Sequence, residues 1–280
     1  ERDQHAEAVP LMVAEQARAG MVFNPYPYYL EAIAQLGQGQ SDAAQFALDN
    51  ARRRMDTQDG VSETDARRYR PLINSALARV WLHQAQEAAA IRSTARVIEL
   101  TDAVIQLGEQ SILIDPDFPD SYVHMAAAHR QRGEYDSAIA IIERGQQQQA
   151  LMASMKLINA KGWTVLEQGR AQAAAGDAEA ARASFDRALY EGFYGVYVNP
   201  WDEEAHQIRV EAALELRDAG LAVGHSETYL LYYPESANAF RLQGDARVAE
   251  DKIDLALEAY SRALELAGSD QVTADALVAR

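Results

Sequence analysis

The 280-residue sequence contains no cysteine, which excludes disulfides, thiolate metal sites and a cysteine nucleophile, and leaves the redox compartment open. It also lacks any run of about 18 apolar residues, the length that a transmembrane helix requires. We therefore expect no membrane-spanning segment. Lysine is rare, with three residues among the 26 basic ones, and together with abundant alanine this is typical of a GC-rich bacterial genome.

Positive charge is scarce relative to negative charge. The chain has 26 Lys and Arg against 42 Asp and Glu, a formal net charge of −16. A nucleic acid or an anionic membrane surface would be repelled by this negative net charge. The two arginine-rich stretches, 51–55 and 66–70, are typical of a solvated helix face or helix end. We expect no nucleic-acid partner, and a protein or peptide partner that offers a basic or apolar segment.

One phrase of the sequence occurs more than once. The stretch RGEYDSAIAIIERG (132–145) has a close relative in AGDAEAARASFDRAL (175–189). From each turn residue, a small, a bulky and a small residue follow at offsets of five, nine and twelve. Steps of four and three match 3.6 residues per turn, so these residues share one helix face that packs closely on a neighbour. The turn residues that begin this pattern are Gly39, Gly133, Gly176 and Asp251.

A partner helix precedes each of these turns, with a bulky residue followed four positions later by a small one. Proline then separates one helix pair from the next, and we expect all eight prolines to lie in connections. Pro200 and Pro234 are 34 residues apart. The residues that this pattern assigns to helix packing are Ala138, Ala181, Ala256, Gly169, Gly244, Phe185 and Tyr260.

This pattern, with a period near 34, resembles the tetratricopeptide repeat (TPR). The resemblance implies an all-α fold, a right-handed α-solenoid of antiparallel helix hairpins, and a single superhelical domain over 1–280 with about five or six hairpins. Residues 60–115 depart from the repeat and predict longer helices around Trp81. Residues 146–161 and 190–201 have the appearance of insertions. The candidate repeats are 26–55, 119–148, 162–192, 202–234 and 237–267.

Known catalytic and metal-binding patterns are absent. The six histidines contain no His-Glu-x-x-His, and His124 and His129 are separated by about 140° on a helix. The stretch 36–40 lacks the third glycine of a dinucleotide loop, and 115–120 lacks the glycine and distal Glu of a calcium loop. We expect no cofactor, no metal and no catalytic residue, with an enzyme site in 60–115 kept only as a remote third alternative.

In TPR proteins the first helix of each pair lines a concave groove that binds extended or helical peptides. The resemblance therefore implies groove positions on these helices, the alternative being that they are merely solvated. No carboxylate clamp is evident, because His124, Ala127 and Gln131 stand where its basic and amide residues would be. The candidate groove residues are Tyr29, His124, Arg130, Gln131, Trp163, Glu167, Arg170, Asn238 and Arg241. Among them we expect Trp163 and Arg241 to serve binding rather than folding.

Aromatic residues are concentrated in two stretches, 24–32 and 189–201. They could anchor a partner, or the second stretch could fold back over an exposed edge of a repeat. The second stretch supplies an alternative binding patch made of Tyr190, Phe193, Tyr194, Tyr197 and Trp201.

These features favour a non-enzymatic scaffold or adaptor that binds a partner protein or peptide in the groove. The alternative is a small-molecule or glycan-binding component of a bacterial export or uptake system, with the aromatic stretch forming a pocket. Assembly into a homo-oligomer is left open. The localisation is also open; since the sequence begins at Glu1 rather than Met, the bacterial periplasm or cell envelope is favoured over the cytoplasm.

Overall fold

The computed structural model describes residues 25–57 and 63–268, besides the single residue Pro10. These ranges contain helices, turns and connections, and no strand. The twelve α-helices are α1 (Tyr26–Gly37), α2 (Ser41–Thr57), α3 (Glu63–Ala90), α4 (Thr94–Ile114), α5 (Pro119–Gln131), α6 (Tyr135–Gln146), α7 (Met155–Ala174), α8 (Ala178–Val198), α9 (Glu203–Glu215), α10 (Ala219–Tyr232), α11 (Ala237–Ala249) and α12 (Ile253–Ala267), with a short 3₁₀ turn at Gln149–Leu151.

The chain divides into two compact units, Glu1–Met152 and Ala153–Arg280. Over the described residues, the N-terminal unit contains α1 to α6 and the C-terminal unit contains α7 to α12, which form three consecutive helix hairpins in each. The all-α prediction is confirmed over the described residues. The description of 1–280 as a single superhelical domain, and the repeat boundaries within it, stay predictions.

Each of the hairpins formed by α1 to α12 turns through one residue in the left-handed backbone region. The four turn residues of the sequence pattern are confirmed in this role, with φ of 75° at Gly39, 73° at Gly133, 86° at Gly176 and 62° at Asp251. Arg92 and Arg217 take the same conformation, at 57° and 56°, in the two remaining hairpins. In each turn the left-handed residue donates its N–H to the carbonyl three residues earlier, and the next residue donates to the carbonyl five residues before it. This is the Schellman arrangement, which satisfies the last carbonyls of the first helix.

The helix pairs approach closely because glycine on one helix faces an aromatic ring on the other. A Cβ atom at Gly169 would lie 2.5 Å from Cε1 of Phe185, and one at Gly244 would lie 2.3 Å from Cε1 of Tyr260. The small positions of the second helices are fully buried, with Ala138, Ala181 and Ala256 at most 2% exposed. The predicted packing register is therefore confirmed.

Two hairpins are longer than the repeat pattern. Helices α3 and α4 have 28 and 21 residues, which confirms the prediction of longer helices in 60–115. Pro71 lies inside α3 and is buried, so the expectation that all prolines lie in connections is wrong. The helix continues through it, although a proline inside a helix removes one backbone hydrogen bond.

The interpretation of 146–161 and 190–201 as insertions is also wrong for 155–161 and 190–198, which lie inside helices. Helix α7 begins at Met155 and α8 runs without a break to Val198, so these parts of the two stretches extend the same hairpin. The extensions pair with each other: Nζ of Lys161 lies 3.1 Å from Oε1 of Glu191, and both side chains are at most 14% exposed. One extension therefore provides the packing surface for the other.

Candidate partner-binding surfaces

The first helices of the C-terminal unit, α7, α9 and α11, are joined by a row of charged side chains. Arg170 on α7 donates from Nε to Oε1 of Glu215 (2.6 Å) and from Nη2 to Oε2 of Glu211 (2.9 Å), both on α9. Arg241 on α11 lies 3.8 Å from Oε1 of Glu211 and donates to Asp245 at 2.8 Å. We call these five residues the charged ladder. It places one continuous polar surface across three consecutive first helices.

Neutral side chains hold the charged ladder in place. Oδ1 of Asn238 accepts from Nε and Nη2 of Arg241, at 3.1 and 2.8 Å. The hydroxyl of Tyr260 donates to Asp245 at 2.7 Å. The Arg241 side chain is only 15% exposed. The expectation that Arg241 contributes little to the fold is therefore wrong, because its guanidinium helps to join α9 and α11; its expected role in binding stays a prediction.

Trp163 and Glu167 continue this surface along α7. They lie seven and three residues before Arg170, so all three share one face of the helix, and both are half-buried. Together with α9 and α11 this face of α7 forms what we call the first-helix face of the C-terminal unit. It brings together five predicted groove residues: Trp163, Glu167, Arg170, Asn238 and Arg241. The sequence reasoning missed Glu211 and Glu215, although their spacing of four and their position on a first helix were available signals.

The predicted groove residues of the N-terminal unit make contacts within that unit. On α5, Nε2 of His124 lies 3.0 Å from Oγ of Ser75, and Nε2 of Gln131 donates to the carbonyl of Leu82 at 3.0 Å. Arg130 is half-buried beside them. On α1, the ring of Tyr29 stacks on Tyr26 with 5.9 Å between centroids. The α5 side chains thus connect α5 to α3.

The alternative aromatic patch lies mostly on the outer face of α8. Tyr190, Phe193 and Tyr197 are spaced three and four residues apart and are 66%, 58% and 79% exposed; Trp201, just after the helix, is 68% exposed. Tyr194 lies four residues after Tyr190, on the same side of the helix, but is half-buried. Tyr190, Phe193 and Tyr197 form a row along α8, and Trp201 follows the helix with its ring edge-on to Tyr232, 5.1 Å between centroids; we call the four exposed residues the aromatic stripe. Each of the four side chains stays more than half exposed, which does not favour the fold-back interpretation.

Glycines on the other side of α8 make the contact with α9. A Cβ at Gly195 would lie 2.7 Å from Cβ of Ala205, and one at Gly192 would lie 3.0 Å from the backbone nitrogen of Arg209. This close approach directs the aromatic side chains outward, because the inner face of the helix has no room for them.

The buried histidine of the C-terminal unit, His206, packs and hydrogen-bonds within the fold. His206 is 1% exposed, stacks on Tyr229 with 5.7 Å between centroids, and its Nε2 lies 2.8 Å from the carbonyl of Pro200. Burial lowers its pKa. Across residues 25–57 and 63–268, no three His, Asp or Glu side chains are grouped in a way that could hold a metal ion. Nor does any helix in these ranges combine the length and apolarity needed to cross a bilayer.

The comparisons with known proteins identify the fold. No family model matches the sequence, and no curated protein matches it. A TPR protein of the thermophile Thermus thermophilus superposes with a TM-score of 0.54 at 17% identity, covering 72% of this chain and 97% of that one. MamA from Desulfovibrio magneticus RS-1, residues 41 to its end, superposes with a TM-score of 0.47 at 15% identity, covering 70% and 97%. The first likeness confirms the predicted TPR-like solenoid of helix hairpins.

Proposed function

We propose that this TPR-like protein is a non-enzymatic scaffold that binds a partner protein or peptide on the first-helix face of its C-terminal unit. The observation that carries the proposal is the charged ladder, which fixes side chains from α7, α9 and α11 in one arrangement before any partner arrives. A surface ordered in advance loses less conformational entropy on binding. The half-buried Trp163 beside it supplies an aromatic anchor of the kind that dominates interface energetics.

The charge of this face indicates the character of the partner. The charged ladder contains three carboxylates, from Glu211, Glu215 and Asp245, against two guanidiniums, from Arg170 and Arg241. The face therefore keeps an excess of negative charge, in the same sense as the whole chain at −16. Such a surface attracts a basic segment and repels an acidic one. We propose a partner with a basic segment that also carries apolar side chains.

The experiment is capture of the native partner by the purified protein, followed by measurement of the partner's affinity for two variants. We expect Trp163→Ala alone to weaken binding, and Trp163→Ala with Arg241→Ala to weaken it at least about tenfold, or roughly 1.4 kcal/mol. The single variant leaves the charged ladder intact, so it separates loss of the anchor from loss of packing. Circular dichroism melting of each variant measures the packing effect directly.

A matched variant on the other surface tests the alternative. Tyr190→Ala with Tyr197→Ala removes two exposed rings of the aromatic stripe and is not expected to change capture. Full binding by the Trp163 and Arg241 variants, with loss of binding in the tyrosine pair, would reject the first-helix face and assign the partner to the stripe.

The small-molecule or glycan alternative has less support. It requires the aromatic stretch to form a pocket, whereas Tyr190, Phe193, Tyr197 and Trp201 are each more than half exposed. A ligand pocket buries most of its ligand between its walls. Side chains that stand in a row on one helix present a ridge to a macromolecule instead.

A further inference from the structure

Arg209 is a buried cation that has no carboxylate partner among the described residues. The residue is 8% exposed, and its Nε is buried without a hydrogen-bond acceptor. Its recorded contacts are Nδ1 of His225, 2.9 Å from Nη2, and the ring of Phe193, whose centroid lies 5.1 Å from Cζ. A guanidinium has five N–H donors. Buried charges in proteins are normally paired, because leaving an ion without a partner away from water is costly.

The position of Arg209 separates it from the first-helix face. It lies two residues before Glu211 on α9, a rotation of about 200°, so the two side chains point to opposite sides of the helix. Arg209 points toward the second helices. A Cβ added at Gly192 of α8 would lie only 2.8 Å from Cγ of Arg209, and His225, which contacts the guanidinium, belongs to α10. Its guanidinium therefore lies between α8 and α10, beside Phe193 of the aromatic stripe.

The neighbouring titratable groups form no ion pair with Arg209. Burial and, next, the charge of Arg209 lower the pKa of His225 to about 4, so the imidazole is neutral at pH 7. Its Nδ1 then accepts from Arg209. Asp218 lies near His225 and its carboxylate accepts from the backbone N–H of Leu221 as the cap of α10; within the described residues it forms no ion pair with Arg209. His206, also near, has a lowered pKa and adds no negative charge.

We propose that Arg209, between Phe193 and His225, is a binding site for a carboxylate carried by an aromatic or apolar partner segment. A carboxylate has two acceptor oxygens that match the fork of a guanidinium and form its strongest hydrogen bonds. The aromatic stripe continues outward from Phe193 and offers rings to the apolar part of the same segment. This segment belongs to a second ligand, distinct from the basic partner of the first-helix face, so either proposal can fail alone.

The test uses two small molecules that differ only in the carboxylate. We expect N-acetyl-phenylalanine to bind the full chain at pH 7 at least about tenfold more tightly than N-acetyl-phenylalanine amide, which corresponds to about 1.4 kcal/mol. In ¹H–¹⁵N NMR spectra the Nε–H resonance of Arg209 should move with the acid and stay in place with the amide. Equal affinity of the two compounds would overturn the proposal.

Variants assign the preference to the side chain. Arg209→Met keeps the aliphatic stem and removes the charge, so both compounds should bind it equally; Arg182→Met, at an exposed position of α8, should keep the preference of the parent. A preference that survives Arg209→Met would place the anion elsewhere and refute the site. Should Arg209→Met fail to fold by circular dichroism, Arg209→Lys decides instead: it keeps the charge, loses the fork, and is expected to reduce the preference.

Inorganic phosphate distinguishes the two kinds of oxyanion. We expect phosphate, at equal ionic strength, to compete with N-acetyl-phenylalanine no better than acetate does. Phosphate that displaces the compound at far lower concentration than acetate would show that the site is built for a phosphate group and would refute the assignment to a carboxylate.

Discussion

The close contact between Gly169 and Phe185 can be tested with one extra methyl group. In Gly169→Ala the new Cβ would lie 2.5, 2.6 and 3.2 Å from three ring atoms of Phe185, whereas carbon atoms pack at about 3.5–4.0 Å. The ring is 5% exposed and must shift by about 1 Å within a packed core. Overpacking of this kind costs about 1–3 kcal/mol. Replacing glycine by alanine inside a helix returns about 0.5–1 kcal/mol, so a net loss is expected.

The matched control is Gly224→Ala on α10 of the same unit. A Cβ at Gly224 meets nothing within 4 Å and the residue is exposed, so this variant should be more stable than the parent by about 0.5–1 kcal/mol. Both changes add the same methyl group to a helix interior. The difference between them therefore isolates the overpacking cost, about 1–3 kcal/mol.

The assay is urea unfolding followed by tryptophan fluorescence in a Trp81→Phe background, so that Trp163 and Trp201 report on the C-terminal unit alone. A double-mutant cycle with Phe185→Leu adds a second measurement, because a smaller side chain should remove much of the Gly169→Ala penalty. Identical midpoints for the two glycine variants, or additive effects in the cycle, would show that α7 and α8 do not meet through this pair.

Three further expectations follow from the same packing and turns. Ala181→Leu should lower the urea midpoint strongly, by about 1–3 kcal/mol, while Ala178→Leu at the exposed start of α8 should not; equal midpoints would mean that the register is wrong. Arg217→Gly should raise stability by roughly 0.5–1 kcal/mol, because an L-residue at φ 56° is strained and glycine is not; a lower midpoint would contradict a left-handed turn. Deleting 235–280 should leave the remaining chain largely helical by circular dichroism, since hairpins in a repeat protein contact mainly their neighbours; complete loss of the helical signal would refute a repeat array.

The turns show how far sequence reasoning reaches in this fold. Gly39, Gly133 and Gly176 were found because glycine takes positive φ without strain, and Asp251 was found only by its register with them. Arg92 and Arg217 occupy the equivalent turns with a residue type that gives no turn signal. Their position is fixed by the helices on either side, whose packing requires a reversal at that point. Residue type therefore reveals a turn only where the turn residue is one, such as glycine, that takes positive φ without strain.

The paired extensions of α7 and α8 were misread for a different reason. When a fixed repeat length is assumed, any additional residues are interpreted as insertions. Each of the two stretches was compared with that length on its own, without its partner. Lys161 and Glu191 are 30 residues apart, and nothing in helical periodicity links them. Contacts of this range appear only when both helices are placed together, so the error lies in tertiary pairing and not in the assignment of helix.

For the candidate surfaces, too, the sequence predicted which residues share one helix face but not which helices contact each other. Helix periodicity was sufficient to place Trp163, Glu167 and Arg170 on one face, and to give the aromatic residues of α8 a common stripe. It could not show that Arg170 and Arg241 approach the same carboxylate, because these residues belong to helices of different hairpins. It also could not show the exposure of the stripe, which depends on Gly192 and Gly195 bringing α9 against the inner face of α8.

Helix α9 shows why the net charge of a chain is an incomplete guide to its partners. From the net charge of −16 the sequence analysis expected no nucleic acid and a partner with a basic or apolar segment, and the charged ladder has the same sign of charge through Glu211 and Glu215. Arg209, two residues before Glu211, faces the opposite side of the same helix with no carboxylate beside it in the described part of the chain. Electrostatic attraction at contact distance depends on the nearest charges, because solvent and salt screen the more distant ones over about 8–10 Å. One acidic helix can therefore attract a basic segment on its first-helix face and a carboxylate on the other.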